Sequence, residues 1–162
     1  MRISAQQVAV WSRTRAAVLS GVFVFLVGLA WTNAQAEQAE DFGSYKVHYS
    51  AINTSQLSPE VARAFGIQRS TSRALLNLAV LRKQEGGLDQ PARASIQVEA
   101  VNIAGQRRPI ELREVREQDA IYYIGSFRIA NEERIRFAVT VRPEGESGPP
   151  REFQFQQQFF VY

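Results

Sequence analysis

Sulfur-containing side chains are nearly absent from this sequence, which has no cysteine and only one methionine. The absence of cysteine excludes disulfide bonds, thiolate catalysis, cysteine-ligated zinc and iron–sulfur clusters. It also excludes a lipid attached to an N-terminal cysteine. A domain built from this chain must therefore be stabilised by its apolar core.

Histidine occurs once, as His48. A Ser-His-Asp triad would have to use it, but no Gly-x-Ser-x-Gly motif is present, and strand alternation predicts that His48 faces solvent. Acidic residues concentrate in two predicted turns, at Glu117 with Asp119 and at Glu132 with Glu133, without the spacing of a calcium loop. No glycine-rich phosphate loop occurs either. The sequence thus predicts no catalytic residue, no metal site and no cofactor.

The N-terminal segment has the pattern of an export signal. Three arginines and no acidic residue precede an uncharged, mostly apolar run of 16 residues at 16–31, and Ala34-Gln35-Ala36 forms a small-x-small cleavage pattern. We predict a signal peptide at residues 1–36, cleaved after Ala36, and a periplasmic mature protein. An uncleaved membrane anchor is the alternative, although the run is shorter than the roughly 20 residues that span a bilayer.

Charge is balanced once the predicted signal is removed. Three of the 19 lysines and arginines lie in residues 1–36, whereas none of the 16 acidic residues does, so the net charge of +3 belongs to the signal. Nucleic acids attract strongly basic surfaces, which the mature chain lacks. We predict that it has no nucleic-acid partner and does not span a membrane.

Strand patterns dominate the remainder of the chain. Seven segments show period-two alternation or an apolar run of strand length, and turn signals separate them at close spacing. These segments lie at residues 45–50, 74–81, 94–103, 108–116, 121–129, 134–142 and 153–162. The run at 74–81 is apolar on both faces, as in a central strand. The pattern predicts an all-β fold, an antiparallel immunoglobulin-like β-sandwich of about seven strands, in one domain at residues 37–162.

One short helix is predicted near the mature N-terminus. Ser58 is a suitable N-cap, Pro59 suits the first helical position, and Gly66 ends the helix about two turns later. A helix this short needs packing partners to be stable. Residues 37–43, which precede the first strand, are predicted to be a polar leader.

Several segments resemble a known family. They are Tyr45-Lys46-Val47-His48-Tyr49, Leu57-Ser58-Pro59-Glu60-Val61-Ala62, Gly66-Ile67-Gln68-Arg69-Ser70, Ala74-Leu75-Leu76-Asn77, Gly105-Gln106 and Asp119-Ala120-Ile121-Tyr122-Tyr123-Ile124. In this order they are similar to small exported proteins of Gram-negative bacteria classified as domain of unknown function 4426. The resemblance covers nearly the whole mature chain. It implies an exported, single β-rich domain, and it implies no activity, cofactor or catalytic residue.

Two pairs of arginines are candidate interaction sites. Arg69 and Arg73 flank a Ser/Thr-rich link, and Arg107 and Arg108 follow a turn. Their guanidinium groups could bind an anionic ligand or the carboxylates of an envelope protein. The alternative, which we favour, is local pairing with acids of neighbouring strands. Those acids would be Glu111, Glu114 and Glu117.

The final strand is the other interaction candidate. Its second face carries three glutamines on alternate positions, followed by Phe160 and Tyr162. If this strand lies at a sheet edge, a strand of a partner protein can add to it. The alternative is that the two aromatic residues pack beneath the short helix or the Pro149-Pro150 loop.

Three hypotheses for function follow. The first is a non-catalytic binding or interaction module of the periplasm, with an envelope protein or an anionic ligand as its partner. The second is a periplasmic hydrolase that uses carboxylates or His48. The third is a small outer-membrane β-barrel, which would need about eight strands or more. The residues fit the first hypothesis best, and they specify no oligomeric state.

Cleavage after Ala36 can be tested on the protein recovered from the periplasm. Both tryptophans, Trp11 and Trp31, precede the cleavage site. We expect an intact mass that corresponds to a chain starting at Glu37, and tyrosine emission without indole emission. Folded, full-length protein with indole fluorescence would contradict the prediction.

Overall fold

The computed structural model of this protein describes residues 38–162. The predicted signal at residues 1–36 lies outside the described residues. The described strands are β1 (Ala39–Asp41), β2 (Tyr45–Asn53), β3 (Arg73–Arg82), β4 (Gln90–Pro91), β5 (Ala94–Asn102), β6 (Arg107–Pro109), β7 (Arg113–Glu117), β8 (Ala120–Arg128), β9 (Glu133–Pro143) and β10 (Arg151–Phe159). A 3₁₀ turn at Thr54–Gln56 precedes the α-helix, α1 (Pro59–Ala64).

The strands form two antiparallel sheets that enclose a common core, so the predicted sandwich is confirmed. The larger sheet has the order β1-β2-β3-β8-β7, with β4 paired to the end of β3. The smaller sheet has the order β10-β9-β5-β6. The double-sided apolar segment forms β3 at the centre of the larger sheet, as predicted. The final strand, β10, lies at an edge of the smaller sheet.

Aromatic rings connect the two sheets across the core. Phe137 of β9 is fully buried and stacks on Phe155 of β10, with 4.7 Å between ring centroids. Phe155 in turn stacks on Tyr49 of the larger sheet at 4.3 Å. Each such pair contributes about 0.5–1.5 kcal/mol beyond the burial of its surface. This packing joins the sheets in a chain that has no disulfide.

The helix α1 forms where the sequence predicts it. The Ser58 hydroxyl accepts a hydrogen bond from the Val61 N–H at 3.2 Å, Pro59 occupies the first turn, and Gly66 adopts a φ of +60° after the last turn. Arg113 of β7 donates to the Phe65 carbonyl and so ties the end of the helix to the larger sheet. Within residues 38–162, no helix is long and apolar enough to cross a membrane.

The prediction of one strand at residues 108–116 is wrong. The chain forms β6 at the edge of the smaller sheet, crosses to the other sheet, and then forms β7 at the edge of the larger sheet. Ile110 is buried in the crossing segment, and its N–H donates to the Val98 carbonyl at 2.9 Å. The crossing passes so close to Gly125 of β8 that a Cβ there would lie 2.6 Å from the Glu111 carbonyl oxygen. The alternation of apolar and polar residues does not indicate where the chain leaves one sheet and joins the other.

The predicted polar leader at residues 37–43 contains a strand. Residues 39–41 form β1 and pair with β2, with Ala39 opposite His48. The Tyr49 N–H extends this pairing by donating to the Gln38 carbonyl at 2.9 Å. These residues form a strand because they pair with the edge of β2. Their own sequence does not indicate this pairing.

Substitution of Gly125 tests the close approach at the crossing. In Gly125→Ala the new Cβ would meet backbone and side-chain atoms at 2.6–2.9 Å, and overpacking of this kind costs about 1–3 kcal/mol. We expect the free energy of unfolding, measured by urea denaturation, to fall by that amount. Gly87→Ala is the control, because its nearest neighbouring atom lies at 3.7 Å. Equal unfolding midpoints in the two variants would contradict this packing.

Candidate functional site

A cleft opens at one edge of the sandwich, between β2 of the larger sheet and the end of β10 in the smaller sheet. Its volume is about 970 Å³, which is within the range of ligand-binding sites. Residues 49–53, the 3₁₀ turn, and residues 157–160 with Tyr162 form most of its lining. We refer to it as the edge cleft.

Among the described residues, 38–162, no charged side chain lines the edge cleft. The lining combines side-chain amides, from Gln38, Asn53, Gln56, Gln157 and Gln158, with aromatic rings and small residues. Amides supply both hydrogen-bond donors and acceptors, and aromatic rings supply flat apolar surfaces. The cleft therefore complements an uncharged chain with polar groups along its length.

Part of the edge of β2 is open inside this cleft. Because the Tyr49 N–H points toward β1, strand alternation directs the main-chain groups of Ala51 and Asn53 to the same side. The pairing with β1 ends before these two residues, and no other strand within residues 38–162 pairs with them on that side. The cleft thus presents backbone donors and acceptors that an added strand can use.

The last residues of the sequence are fixed beside the cleft by two asparagines. Asn53 donates from Nδ2 to the Phe160 carbonyl at 2.6 Å. Asn131, in the turn before β9, accepts from the Val161 N–H through Oδ1 at 2.9 Å. Val161 packs against the core, so the residues on either side of it point outward.

The two predicted aromatic candidates lie together at the mouth of the cleft. Phe160 and Tyr162 stack on each other, with 5.9 Å between ring centroids. Tyr162 is 92% exposed and Phe160 is 38% exposed, so this pair is not buried beneath α1 or the Pro149-Pro150 loop. Exposed aromatic side chains that are held in place are typical of binding hot spots.

The arginine candidates make local contacts instead of meeting at one site. Arg69 donates to the Ser55 carbonyl at 2.8 Å. Arg73 donates to the Ser126 hydroxyl at 2.8 and 3.1 Å. Both guanidinium groups therefore serve to position loops and strands of the larger sheet.

Arg107 and Arg108 are engaged on the smaller sheet. Arg107 pairs with Glu99 at 3.0 Å, and Arg108 pairs with Glu133 at 3.3 Å. Arg108 also lies over the Phe127 ring at 5.9 Å. The sequence favours local pairing of these arginines with Glu111, Glu114 and Glu117. Their partners are instead Glu99 and Glu133, because the predicted strand at 108–116 is split between the two sheets. The prediction of an anionic ligand stays a prediction.

The acidic residues of the two predicted turns do not form one site. Glu117 is the last residue of β7 and Asp119 lies in the turn before β8, whereas Glu132 and Glu133 follow the end of β8. A strand of nine residues spans about 30 Å at ~3.3 Å per residue. His48 lies in β2, half-buried. Within residues 38–162, no group of three or more His, Cys, Asp or Glu side chains could hold a metal ion.

Among the carboxyl groups of residues 38–162, two have shifted pKa values, and both shift downward. The hydrogen bond from Lys83, supported by the Gly43 N–H, lowers the pKa of Asp41. The hydrogen bond from Arg116 lowers the pKa of Glu114. A carboxylic general acid needs a raised pKa, so these ion-paired groups are poor candidates for that role.

Sequence reasoning missed the residues that shape the edge cleft. Asn53 and Asn131 carry no local motif, and their contacts with the end of the chain span 107 and 30 residues of sequence. Gln38 lies in the segment that the sequence predicts to be a polar leader. The sequence predicted one feature of the cleft, because the alternation in the final strand directs Phe160 and Tyr162 outward.

The chain is similar to a known family and to several solved structures. The model of the family described as domain of unknown function DUF4426 matches residues 39–162. A comparison with curated proteins gives no match. The crystal structure of a DUF4426 family protein (PA0388) from Pseudomonas aeruginosa PAO1 is 34% identical, with a TM-score of 0.66, and the match covers 79% of this chain and 98% of that one.

Two structures of FetP from uropathogenic Escherichia coli strain F11 share the fold. One, expressed recombinantly in the periplasm, is 10% identical, with a TM-score of 0.57 and coverage of 77% of this chain and 94% of that one. The other, a copper-bound variant, is 11% identical, with a TM-score of 0.56 and coverage of 78% and 97%. On the family match and the 34% identical relative, this chain belongs to the DUF4426 family.

Proposed function

We propose that this protein is a non-catalytic binding module of the periplasm, and that its edge cleft binds an extended, uncharged segment of an envelope protein. The observation that carries the proposal is the edge of β2 at Ala51 and Asn53, which no strand of residues 38–162 covers, within a cleft that no charged side chain of those residues lines. Added strands gain affinity from main-chain hydrogen bonds and specificity from side-chain pockets.

The aromatic pair of Phe160 and Tyr162 also favours an extended protein segment as the occupant of the edge cleft. Phe160 and Tyr162 stack on each other, and hydrogen bonds from two asparagines hold the main chain at Phe160 and Val161. A main-chain segment that is already ordered loses less conformational entropy on binding than a mobile one. These rings can therefore contact the apolar side chains of a strand that pairs with β2.

Copper binding is not carried over from FetP. Copper sites in proteins use imidazole and sulfur ligands, whereas this sequence has one histidine, no cysteine, and a methionine only at its first position. The residues of this chain do not fit such a site. The periplasmic location rests on the predicted signal and agrees with FetP, which was expressed in that compartment.

The proposal can be tested by site-specific photocrosslinking in cells. A photoreactive phenylalanine analogue at position 162 should capture one envelope protein, and mass spectrometry of the adduct should identify an extended segment without charged residues. A synthetic peptide of that segment should bind the purified protein. We expect the double substitution Phe160→Ser with Tyr162→Ser to weaken peptide binding by about tenfold or more.

Leu88 provides a matched control, because its side chain is also 92% exposed and lies away from the edge cleft. Leu88→Ser should leave peptide affinity unchanged, and a photoreactive residue at position 88 should not give the same adduct. The proposal fails if adducts form equally at both positions, or if the peptide binds the double variant as tightly as the unaltered protein.

A further inference from the structure

A groove with two arginines lies on the outer face of the larger sheet, beside the loop that follows α1. Its volume is about 250 Å³, just below the range for drug-sized ligands, so it suits a molecule of few atoms. Arg73, Arg113 and Ser126 supply charged and polar groups to its lining, and Ile67 and Leu75 supply apolar surface. We refer to it as the arginine groove.

Positive charge in the arginine groove is not balanced by acids of residues 38–162. No acidic residue of that range lines the groove, and neither Arg73 nor Arg113 forms a salt bridge within it. Arg73 also lies directly opposite Arg128 on β8, and like charges at such positions repel each other. A bound anion would therefore relieve a repulsion that is built into this face of the sheet.

Both guanidinium groups are held in place by bonds that leave some of their donors unused. A guanidinium carries five N–H donors. Arg73 donates to Ser126 through Nε and Nη2, and Arg113 donates to the Phe65 carbonyl through Nη2. Within the described part of the chain, the Nη1 atoms of both arginines make no hydrogen bond. Side chains that are already positioned lose less entropy when they bind a ligand.

The unused donors are accessible to a ligand. Arg113 and Ser126 are exposed. Arg73 is half-buried, but its Nη1 reaches solvent. The Ser126 hydroxyl accepts from Arg73, so its own proton is left to donate. The Phe65 carbonyl, which would repel an anion, is already occupied by Arg113.

These surroundings favour a carboxylate over a phosphate. Phosphate sites commonly use several main-chain N–H groups, but here the N–H groups of Gly66 and Ile67 are already bonded to carbonyls of α1. Guanidinium groups match the planar pair of oxygens of a carboxylate. The apolar surface of Ile67 and Leu75 complements a ligand that also has an apolar part.

We infer that the arginine groove binds a small organic carboxylate, whose charged group is recognised by Arg73 and Arg113 and whose apolar part contacts Ile67 and Leu75. The groove shares no lining residue with the edge cleft, and the inference does not rest on the function proposed for that cleft. The sequence nominates Arg73 but not Arg113, because only the pairing of β7 with β8 brings the two together.

Three probes test this inference by nuclear magnetic resonance titration of the isotope-labelled protein at constant ionic strength. Benzoate has a carboxylate and a flat apolar body, benzamide is its uncharged analogue, and inorganic phosphate has charge without an apolar body. We expect saturable shifts of the Arg73 and Arg113 Nε–H signals with benzoate. Benzamide and phosphate should each bind about tenfold more weakly, because one lacks the charge-assisted hydrogen bonds and the other lacks the apolar contact.

Variants assign the effect to the groove. Arg73→Gln and Arg113→Gln should each weaken benzoate binding by about tenfold and change benzamide binding little. Arg134→Gln is the matched control, because it removes the same charge from an exposed position on β9 of the smaller sheet. It should leave the affinity for benzoate unchanged. The amide spectrum of each variant shows that it stays folded, and the comparison of the three probes on the unaltered protein needs no variant.

Four results would overturn the inference. The first is the absence of saturable shifts at Arg73 and Arg113 with benzoate. The second is equal affinity of the unaltered protein for benzoate and benzamide, which would leave the guanidinium groups without a role. The third is phosphate binding as tight as benzoate binding. The fourth is an equal loss of benzoate affinity in Arg134→Gln and Arg113→Gln, which would indicate attraction by net charge alone.

Discussion

Aromatic packing between the two sheets is the interaction on which the rest of this structure depends. The stack of Tyr49, Phe155 and Phe137 joins β2 to the smaller sheet at ring distances of 4.3 and 4.7 Å. It supplies cohesion that the chain cannot obtain from disulfides, which it lacks. It also brings the open edge of β2 beside the end of β10. The edge cleft is therefore a consequence of how the core holds the sheets.

The distribution of charge separates the structural surface from the candidate binding surfaces. Arginines and acids pair locally over much of the sandwich, as Arg107 does with Glu99 and Arg108 with Glu133. Exposed pairs of this kind contribute little to stability, but they occupy groups that would otherwise attract ions. Within residues 38–162, no charged side chain lines the edge cleft. The cleft thus favours a neutral ligand.

Features set by local sequence were predictable, and features set by distant contacts were not. The cap at Ser58 and the alternation in β9 depend on a few adjacent residues, and the structure confirms both. The change of sheet after β6 depends on the space above Gly125, and β1 depends on the edge of β2. The arginine candidates could be named from the sequence, but their partners could not, because those partners follow from the topology.

The most direct test of the account is residue-specific amide hydrogen exchange at Ala51 and Asn53, with and without the peptide segment of the captured partner. In the free protein these two amides should exchange rapidly, since no strand within residues 38–162 covers that side of β2. Saturation with the peptide should slow both, because a paired strand accepts their hydrogen bonds. Slow exchange in the free protein, or exchange that the peptide leaves unchanged, would contradict the account.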